Sequence, residues 1–505
     1  MAGGLITWGI IIAYMIFIFF KGVLKARKIR DTDDFLVAGR NIGWFFLFCT
    51  MGATVIGGGS SIGAIGRTYE WGVLMLVVST GWYLHFLFSG LVVAPKFRDA
   101  ELYTVAGYFG HRFGEGPRFL VLILSLLFSV FIVAAQMAAF GSVLTAILPE
   151  FTNSPLVLAL AIIIGGAVVV TYSTAGGLLA VIHTDVYQFV ILIFGFLVTL
   201  AACIPDIISS WKEATSAIPH TFFQIEGGKG WIFLVTTFLA FFLGETFAPG
   251  YATRYCVGKD IRETRIGIAG VGIFLALTFP VVLFFIALYA RIHFPDIAPQ
   301  QALPMVIRKM NNPVIGGLVI GALMMAVMSS ADSALNSSTA IFIKDLFEHQ
   351  LGWKDRNDGR MLRLARICSA LLGGAAILVA VLWSDIIGLL LFTYHLWAPA
   401  IILPVCVGVL SKKRSPALTR NIFITMLTAS ALTMIYKGFA ILKNRLDIAP
   451  LGDGAYRFME QVDASVFGVA VSCLTFGVLT FLTTDRNAIA VDPEEEQPEL
   501  SGSDD

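Results

Sequence analysis

Long apolar runs separated by short polar segments recur along the whole chain. Runs of about 18 or more residues have the length that an α-helix needs to cross the hydrocarbon core of a bilayer. The pattern predicts an all-α integral membrane protein with about thirteen transmembrane helices, here numbered spans 1 to 13. Their predicted cores are 4–21, 42–66, 71–94, 118–147, 156–172, 179–204, 231–250, 265–290, 314–343, 365–385, 387–410, 420–442 and 465–484.

Two of these spans are interrupted. Span 2 contains the triplet Gly57-Gly58-Gly59, and span 7 contains Gly244 followed by Pro249-Gly250. Glycine and proline both disfavour a continuous helix. Paired breaks at matching places in two halves are typical of transporters built from inverted repeats, with the binding site at the breaks. Because an odd number of helices inverts the second copy, we predict a five-plus-five inverted repeat of spans 2–6 and 7–11.

These features divide the chain into six predicted segments. A first helix with its loop is followed by the first repeat, an extracellular loop, the second repeat, two peripheral helices and an acidic tail that we expect to be disordered. The respective boundaries are 1–41, 42–204, 205–230, 231–411, 412–485 and 486–505.

The distribution of Lys and Arg predicts the orientation in the membrane. The loops on one side, together with the C-terminal tail, hold 25 of the 35 basic residues. Basic loops remain cytoplasmic, so we expect a plasma-membrane protein with its N-terminus outside and its C-terminus inside. This assignment leaves no Lys or Arg in the middle of any span, and it argues against a site that binds an anion through a buried cation.

Composition narrows the possible functions. The chain is 57% hydrophobic and only 14% charged, far below the charge of a soluble protein, and its net charge of +1 indicates no nucleic-acid partner. The six cysteines stand singly, which favours neither a disulfide framework nor a metal centre, and no cofactor is indicated. The sequence Gly59-Ser60-Ser61-Ile62-Gly63 matches a serine-nucleophile pattern. An intramembrane hydrolase using Ser61 is a remote alternative, and we expect the protein not to be an enzyme.

A break in a membrane helix has a direct chemical use. The carbonyls before the glycines, from Ala53 to Ile56, lose their helical amide partners and can coordinate a cation. Span 9 carries many hydroxyls, and Ala326, Ser329 and Ser330 share one helical face. One carbonyl and two hydroxyls there would complete an all-oxygen cage, which suits a hard cation such as Na⁺.

The sequences ATVIGGGSSIG in span 2 and AVMSSADSALNSS in span 9 together resemble the solute:sodium symporter family. Three further stretches agree, namely YTVAGYFGHRFG, YSTAGGLLAVIHTDVYQ and APGYATRYCVGKD. The resemblance covers spans 2 to 11 and implies a leucine-transporter-type fold that moves solute and Na⁺ by alternating access. It places the sodium site on the carbonyls of Ala53, Ile56 and Ala326 and on the hydroxyls of Ser329 and Ser330.

The resemblance also implies a possible second ion site at Asp185, Asp332 and Ser333. The family often has Ser where this chain has Asp332, and three readings of the two carboxylates stay open. They could hold a second Na⁺, share a proton, or leave Asp185 to assist Na⁺ release toward the cytoplasm. His183 stands where the family usually has Trp, and Val55 stands where the proline-transporting members have an acidic residue.

The solute should lie beside the two breaks. Glu245 is the leading candidate, because an acid within a membrane span is costly and usually functional. An acid with aromatic neighbours suits an amine or quaternary ammonium, and IGGG resembles the choline branch of the family. An amino-acid-like or carboxylate solute and proton coupling remain alternatives, and the oligomeric state is not indicated. The candidate solute residues are Gly57, Gly58, Trp82, Tyr83, Phe241, Gly244, Glu245, Phe247, Tyr394 and Trp397.

Overall fold

The computed structural model describes most of the chain. The described residues are 2–26, 38–99, 103–147, 154–176, 178–212, 216, 218–353, 358–411, 413–448, 450–483 and 489–490. Most of the predicted acidic tail and part of the first loop lie outside these ranges. Ile489 and Ala490 form strand β2, which pairs antiparallel with strand β1, Lys413–Arg414.

Each of the thirteen predicted spans corresponds to a helix, and we number these helices α1 to α13. Their bounds are Ala2–Ala26 (α1), Trp44–Val55 and Gly59–Trp71 (α2a and α2b), Val73–Asp99 (α3), Glu115–Ile147 (α4), Pro155–Gly176 (α5), Leu178–Ser209 (α6), Trp231–Gly244 and Pro249–Tyr255 (α7a and α7b), Ile261–His293 (α8), Pro313–Gln350 (α9), Asp358–Leu382 (α10), Ile386–Leu410 (α11), Pro416–Leu446 (α12) and Ala464–Leu482 (α13).

Length and apolar composition support a membrane location for this bundle. Within the described ranges, nine helices are long and apolar enough to cross a bilayer, or eleven if each bent pair is one span. Two shorter apolar helices, Leu5–Ile18 and Pro155–Thr171, lie within α1 and α5. The all-helical membrane fold predicted from the sequence is therefore confirmed, while the segment boundaries and the orientation of the termini stay predictions.

Both predicted helix breaks are present. The axes of α2a and α2b differ by 59°, and those of α7a and α7b by 52°. At the first break, α2a ends at Val55, and the helix resumes with a turn of π geometry, Gly59–Gly63. At the second, Phe247 has a φ of 64°, a left-handed conformation that is uncommon for a bulky residue, and Pro249 starts the new helix at its first position.

The helices differ sharply in burial. In the most apolar window of α9, 83% of residues are buried within the protein, whereas the value for α13 is 17%. Helix α9 packs against α1, α4 and α6 and also contacts α2a and α7b, while α13 packs on α11 and α12. The hydroxyl-rich helix therefore lies at the centre of the bundle, next to both breaks.

Short elements close the ends of the bundle. Three helices, Val105–Phe113, Ala302–Met310 and Asp453–Gln461, and three 3₁₀ turns, Ala38–Arg40, His220–Phe223 and Pro299–Gln301, connect the long helices. Ile42, just before α2a, donates its N–H to the Val257 carbonyl at 3.1 Å, and its carbonyl accepts from the Lys259 N–H at 2.9 Å. These two hydrogen bonds form a backbone bridge between the start of α2 and the residues that follow α7b.

Candidate functional site

The two breaks meet around a small cavity of about 40 Å³. Its walls come from both breaks and from helices α3, α4, α9 and α11. The lining residues are Thr54, Val55, Gly59, Ser60, Trp82, Phe128, Ser129, Ile132, Gln136, Glu245, Ala248, Gly250, Tyr251, Ser330, Ser333, Ala334 and Leu390. Pockets for organic ligands are usually about 300 Å³ or larger, so this cavity is too small for an organic solute in the conformation described.

Oxygen atoms from α2a and α9 come together on one side of this cavity. Ser330 Oγ donates to the Thr54 carbonyl at 2.7 Å and lies 3.0 Å from the Ala326 carbonyl one turn earlier on its own helix. Ala53 precedes Thr54, and Ile56 is the capping residue after α2a, at the end where the last helical carbonyls lack amide partners in the helix. Neutral oxygens of this kind are suitable ligands for Na⁺, and their assignment as a sodium site stays a prediction.

The glycines of span 2 allow close contacts with neighbouring helices. A Cβ atom on Gly57 would lie 2.4 Å from Ser330 Oγ, and one on Gly58 would lie 2.1 Å from the Ala139 Cβ. Gln136 accepts a hydrogen bond from Gly58 N–H at 2.7 Å and so stabilises the broken helix. The space beside Gly57 and Gly58, expected to admit a solute, is thus taken by protein side chains here.

Ser61 does not have the surroundings of a nucleophile. Its hydroxyl is buried and donates to the Gly57 carbonyl in the preceding turn. This contact is the usual behaviour of a serine inside a membrane helix, where the hydroxyl satisfies a backbone carbonyl. The hydroxyl therefore helps to satisfy the broken backbone of α2.

A buried arginine corrects one expectation from the sequence. Arg254 is fully buried on α7b, and its Nη2 lies 3.6 Å from Asp185 Oδ2. Its Nη2 donates to Ser333 Oγ at 2.6 Å, and its Nε donates to Thr50 Oγ1 at 3.1 Å. The expectation that no Lys or Arg lies in the middle of a span did not anticipate this buried cation, because the helix resumes after Pro249 and carries Arg254 into the interior.

The two predicted carboxylates of the second ion site have different partners. Asp185 accepts from Thr50 Oγ1 at 2.5 Å and from the hydroxyl of Ser329. Asp332 Oδ1 accepts from the Ser173 hydroxyl and from Asn336 Nδ2, the latter at 3.1 Å, whereas its Oδ2 has no hydrogen-bond partner among the described residues. Ser329 therefore connects the predicted sodium site with this charged cluster.

Glu245 lies at the second break and is buried. Tyr251 donates to one of its carboxyl oxygens at 2.6 Å, and Tyr394 donates to the other at 2.9 Å. Among the residues that the structure describes, no Lys or Arg lies within ion-pair distance of Glu245. The site thus has a buried acid, held by two phenols, beside the central cavity.

The predicted aromatic residues fall into two groups. Trp82 packs on Phe241 with ring centroids 4.8 Å apart, and Phe241 packs on Tyr394 at 5.8 Å, so these three rings form a continuous wall near Glu245. Gly244 allows this arrangement, since a Cβ there would lie 2.2 Å from the Tyr394 ring.

Of the six predicted aromatics, Trp82 alone is among the residues that line the described cavity, and the remaining three have other neighbours. Tyr83 packs on Phe279 at 5.9 Å, and Phe247 packs on Phe88 at 6.2 Å. Trp397 donates from Nε1 to the Thr246 carbonyl at 3.1 Å, which anchors the second break to α11. These contacts give the three side chains packing and anchoring roles in this conformation.

Four residues that contact the predicted site are not among the site residues predicted from the sequence, namely Thr50, Gln136, Tyr251 and Arg254. Tyr251 and Arg254 follow Glu245 by six and nine residues, and treating Pro249 as a helix start would have kept both within the span. Thr50 precedes Thr54 by one turn on a face toward α6. No local pattern in α4 distinguishes Gln136 from other polar residues.

A larger vestibule lies above the cavity on the side predicted to be extracellular. Its volume is about 590 Å³, and its lining includes Gly63, Gly66, Thr145 and Gln300. Arg67 on α2b forms ion pairs there with Glu70 at 2.8 Å and with Asp385 at 3.2 Å. The vestibule gives the bundle an open end on this side.

Comparison with known proteins identifies the family. The model of the sodium:solute symporter family matches residues 35–418. The chain belongs to this family. It is 25% identical to the high-affinity choline transporter 1 of Caenorhabditis elegans, over 75% of this chain and 69% of that protein. It is 24% identical to the sodium/pantothenate symporter of Haemophilus influenzae, over 94% of this chain and 95% of that protein.

Two sialic acid symporters extend the comparison. The sodium/sialic acid symporter NanT of Aliivibrio fischeri is 27% identical, over 73% of this chain and 75% of its own length. The solved structure of a Na⁺-coupled sialic acid symporter in a substrate-bound outward-open state superposes with a TM-score of 0.68 at 20% identity, covering 93% of this chain and 98% of that chain. This likeness confirms the fold, including the five-plus-five inverted repeat. Family membership supports Na⁺-coupled transport of a small solute across a membrane.

Proposed function

We propose that this symporter carries a small organic cation, an amine or a quaternary ammonium, together with Na⁺. The observation that carries this proposal is the buried carboxylate of Glu245 without a basic partner among the described residues. A buried charge is stable only when it is paired, so a cationic solute would supply the missing charge.

The surroundings of Glu245 fit such a solute. Trp82 lines the same cavity and packs on Phe241, which in turn packs on Tyr394. The face of an aromatic ring attracts a cation. The two phenols that bond Glu245 hold its carboxylate in one orientation, which favours recognition of a compact head group. Choline is a quaternary ammonium, and the similarity to choline transporters supports this solute class.

Sodium would act through the contact between α2a and α9. The proposed ligands are the carbonyls of Ala53, Ile56 and Ala326 and the hydroxyls of Ser329 and Ser330. Ser330 already bridges the two helices through the Thr54 carbonyl. A cation bound at this junction would fix the first break against α9 and thereby shape the cavity that holds the solute.

The two ends of the bundle support alternating access. The predicted outer end holds the 590 Å³ vestibule, whereas the other end is closed by the backbone bridge at Ile42.

 
The N–H of Trp44, at the start of α2a, donates to Glu263 Oε2 at 2.6 Å and adds a second contact at this closed end. We propose that both contacts break when the repeats rock and the two ligands leave toward the cytoplasm.

A thermal-shift screen tests the proposed solute class. Purified protein is heated with primary amines, quaternary ammonium compounds, amino acids and carboxylates, each with Na⁺ or with K⁺. A ligand that binds the folded state raises the melting temperature, so cationic solutes should stabilise the protein and should do so more strongly with Na⁺. Stabilisation by carboxylates alone would contradict the proposed solute class.

Proton coupling is the second candidate, and one observation favours it. Asp332 Oδ2 is buried without a hydrogen-bond partner among the described residues, and a carboxyl in such a place can take a proton. Uptake that needs only a pH gradient, and no Na⁺, would support this alternative. A carboxylate solute is less well supported, because the guanidinium of Arg254 already bonds to protein oxygens.

A further inference from the structure

We propose that a crevice between α1, α5 and α9 binds an acyl chain of an anionic phospholipid from the cytoplasmic leaflet. The crevice has a volume of about 500 Å³, within the range of about 300–1,000 Å³ that is usual for ligand pockets. It is separate from the central cavity, because the two have no lining residue in common. This site is therefore independent of the solute and of the coupling ion.

The lining of the crevice is almost entirely apolar. Among the described residues that form it, Thr171 alone has a polar side chain, and its hydroxyl donates to the Ala167 carbonyl at 2.7 Å. A water molecule in a cavity needs about two to four polar partners, which this lining does not supply. The crevice therefore suits a hydrocarbon chain and not water.

The crevice opens toward the surface that faces the membrane. Ile16 and Phe20 of α1 are 50% and 61% exposed, and Val168 of α5 is 42% exposed, whereas Met325 and Met328 of α9 are buried. The space thus runs inward from the lipid-facing rim to α9. Lipid is the surrounding medium of these helices, and the flexible methionine side chains can adapt to an inserted chain.

A basic residue at one end of the crevice favours an anionic head group. Lys21 is exposed and follows Phe20 toward the end of α1 that is predicted to be cytoplasmic. Its Nζ lies 5.6 Å from the ring centroid of Phe17 and 5.9 Å from that of Tyr187. Among the residues that the structure describes, no carboxylate lies within ion-pair distance of Lys21. Basic residues at the cytoplasmic surface attract anionic lipids, so a head group beside Lys21 would place its chain along Phe20.

The inner wall of the crevice adjoins the proposed Na⁺ ligands. Met325 and Met328 precede Ala326 and Ser329 by one residue each. Neighbouring residues of a helix lie on different faces. A bound chain would therefore contact this stretch of α9 without reaching the ion.

Photolabelling in liposomes tests the site. A phosphatidylglycerol with a diazirine in the middle of one acyl chain is mixed into phosphatidylcholine liposomes that contain the full-length protein. After irradiation, the labelled residues are mapped by mass spectrometry. Label should be stronger on Met325 and Met328 than on Leu474 and Val478, which are exposed on α13. Phosphatidylcholine with the same diazirine measures the head-group preference.

Filling the crevice should exclude the chain. Ala167 lies on its exposed rim, so Ala167→Phe should abolish the label on Met325 and Met328 without disturbing buried packing. Ala470→Phe, at an exposed position of α13, is the matched control and should leave this label unchanged. Size-exclusion chromatography shows whether each variant is folded.

Removing the basic residue should reduce the preference for the anionic lipid. One Lys near a negatively charged membrane surface contributes roughly a factor of five in binding, so Lys21→Gln should lower labelling by phosphatidylglycerol relative to phosphatidylcholine by about that factor. Lys259→Gln, also exposed on the predicted cytoplasmic side, should leave the ratio unchanged.

Three results would overturn the lipid site. The first is label on Met325 and Met328 that is no stronger than on α13, or that persists in folded Ala167→Phe. The second is equal labelling by the two lipids, which would remove the anionic head group. The third is a dimer in light scattering that Ala167→Phe converts to a monomer, because a second copy of the chain would then cover the crevice. None of these measurements uses Na⁺ or a solute, so their failure leaves the proposed function unaffected.

Discussion

The two helix breaks occupy matching places in the two repeats but present different chemistry to the centre of the protein. The break in α2 is made of glycines, packs tightly against α4 and α9, and exposes neutral backbone oxygens. The break in α7 carries the acid Glu245, a left-handed Phe247 and, shortly afterwards, the buried Arg254. The two breaks thus occupy equivalent positions in the repeats, but their different sequences place different chemical groups at the centre of the protein.

This difference matches the two ligands that we propose for the site. Neutral oxygens from the first break suit a small hard cation, whereas the charge and aromatic rings near the second break suit an organic cation. Ser330 and Ser333, one turn apart on α9, contact α2a and α7b respectively. Helix α9 therefore contacts both breaks, and we propose that these contacts link Na⁺ binding to solute binding.

The largest expected effect comes from removing the hydroxyls at the first break. Ser329→Ala combined with Ser330→Ala should abolish Na⁺-driven uptake, since two of the five proposed ligands are lost. Uptake is measured at low and high Na⁺ in proteoliposomes. Ser337→Ala with Ser338→Ala is the matched control, because both hydroxyls bond to the Ala334 carbonyl of their own helix. Undiminished uptake at low Na⁺ in the first variant would refute the sodium-site assignment.

Neutralising the acid at the second break should act on the solute. Loss of one partner of a buried charge pair costs about 2–5 kcal/mol, so Glu245→Gln should weaken solute affinity by roughly 30-fold or more. Binding of ²²Na⁺ in the same variant should be retained. Glu70→Gln, in the vestibule, is the control and should change solute affinity little. Equal solute affinity in Glu245→Gln and wild type would exclude a direct role for this carboxylate.

Tight packing at the first break can be tested by overfilling it. A Cβ on Gly58 would lie 2.1 Å from the Ala139 Cβ, so Gly58→Ala should destabilise the protein by about 1–3 kcal/mol. Gly438→Ala in α12, where nothing lies within 4 Å, should not lower the melting temperature. If both variants melt at the same temperature, the glycines of α2 are not needed for close packing.

The smallest effect should come from the anchor of the second break. Trp397→Phe removes the hydrogen bond to the Thr246 carbonyl and should cost about 1 kcal/mol of stability. Trp383→Phe is the comparison, since Trp383 packs on Phe392 away from either break. Equal melting temperatures for the two variants would show that the anchor contributes little.

The positions of the spans and of both breaks could be predicted from the sequence because they depend on local features. Apolar length defines a membrane helix, and clustered glycine and proline disfavour its continuation. The contact of Ser330 with the first break was likewise expected from helical spacing and family resemblance.

The partners of the charged groups could not be predicted in the same way. The pairing of Arg254 with Asp185 joins residues that lie far apart in sequence, and it depends on the direction that α7b takes after the break. The separation of Tyr83, Phe247 and Trp397 from the cavity depends on helix rotation, which apolar neighbours determine through packing. Neither feature leaves a distinctive local pattern.

The number of coupled ions has a large consequence for transport. Each Na⁺ that moves inward down ~100 mV contributes about 2.3 kcal/mol to solute accumulation. This energy corresponds to a factor of roughly 50 in the concentration ratio. Coupling to a single Na⁺ would therefore set a much lower accumulation limit than coupling to two.

Uptake of a radiolabelled quaternary ammonium compound into proteoliposomes tests directly whether the protein couples transport of an organic cation to Na⁺. The same vesicles are given an inward Na⁺ gradient, an inward K⁺ gradient or a pH gradient alone. We expect the compound to accumulate above its external concentration only with the Na⁺ gradient, and this accumulation to be lost in Glu245→Gln. Equal accumulation under the pH gradient alone, or no uptake of the cation under any gradient while a carboxylate accumulates with Na⁺, would contradict it.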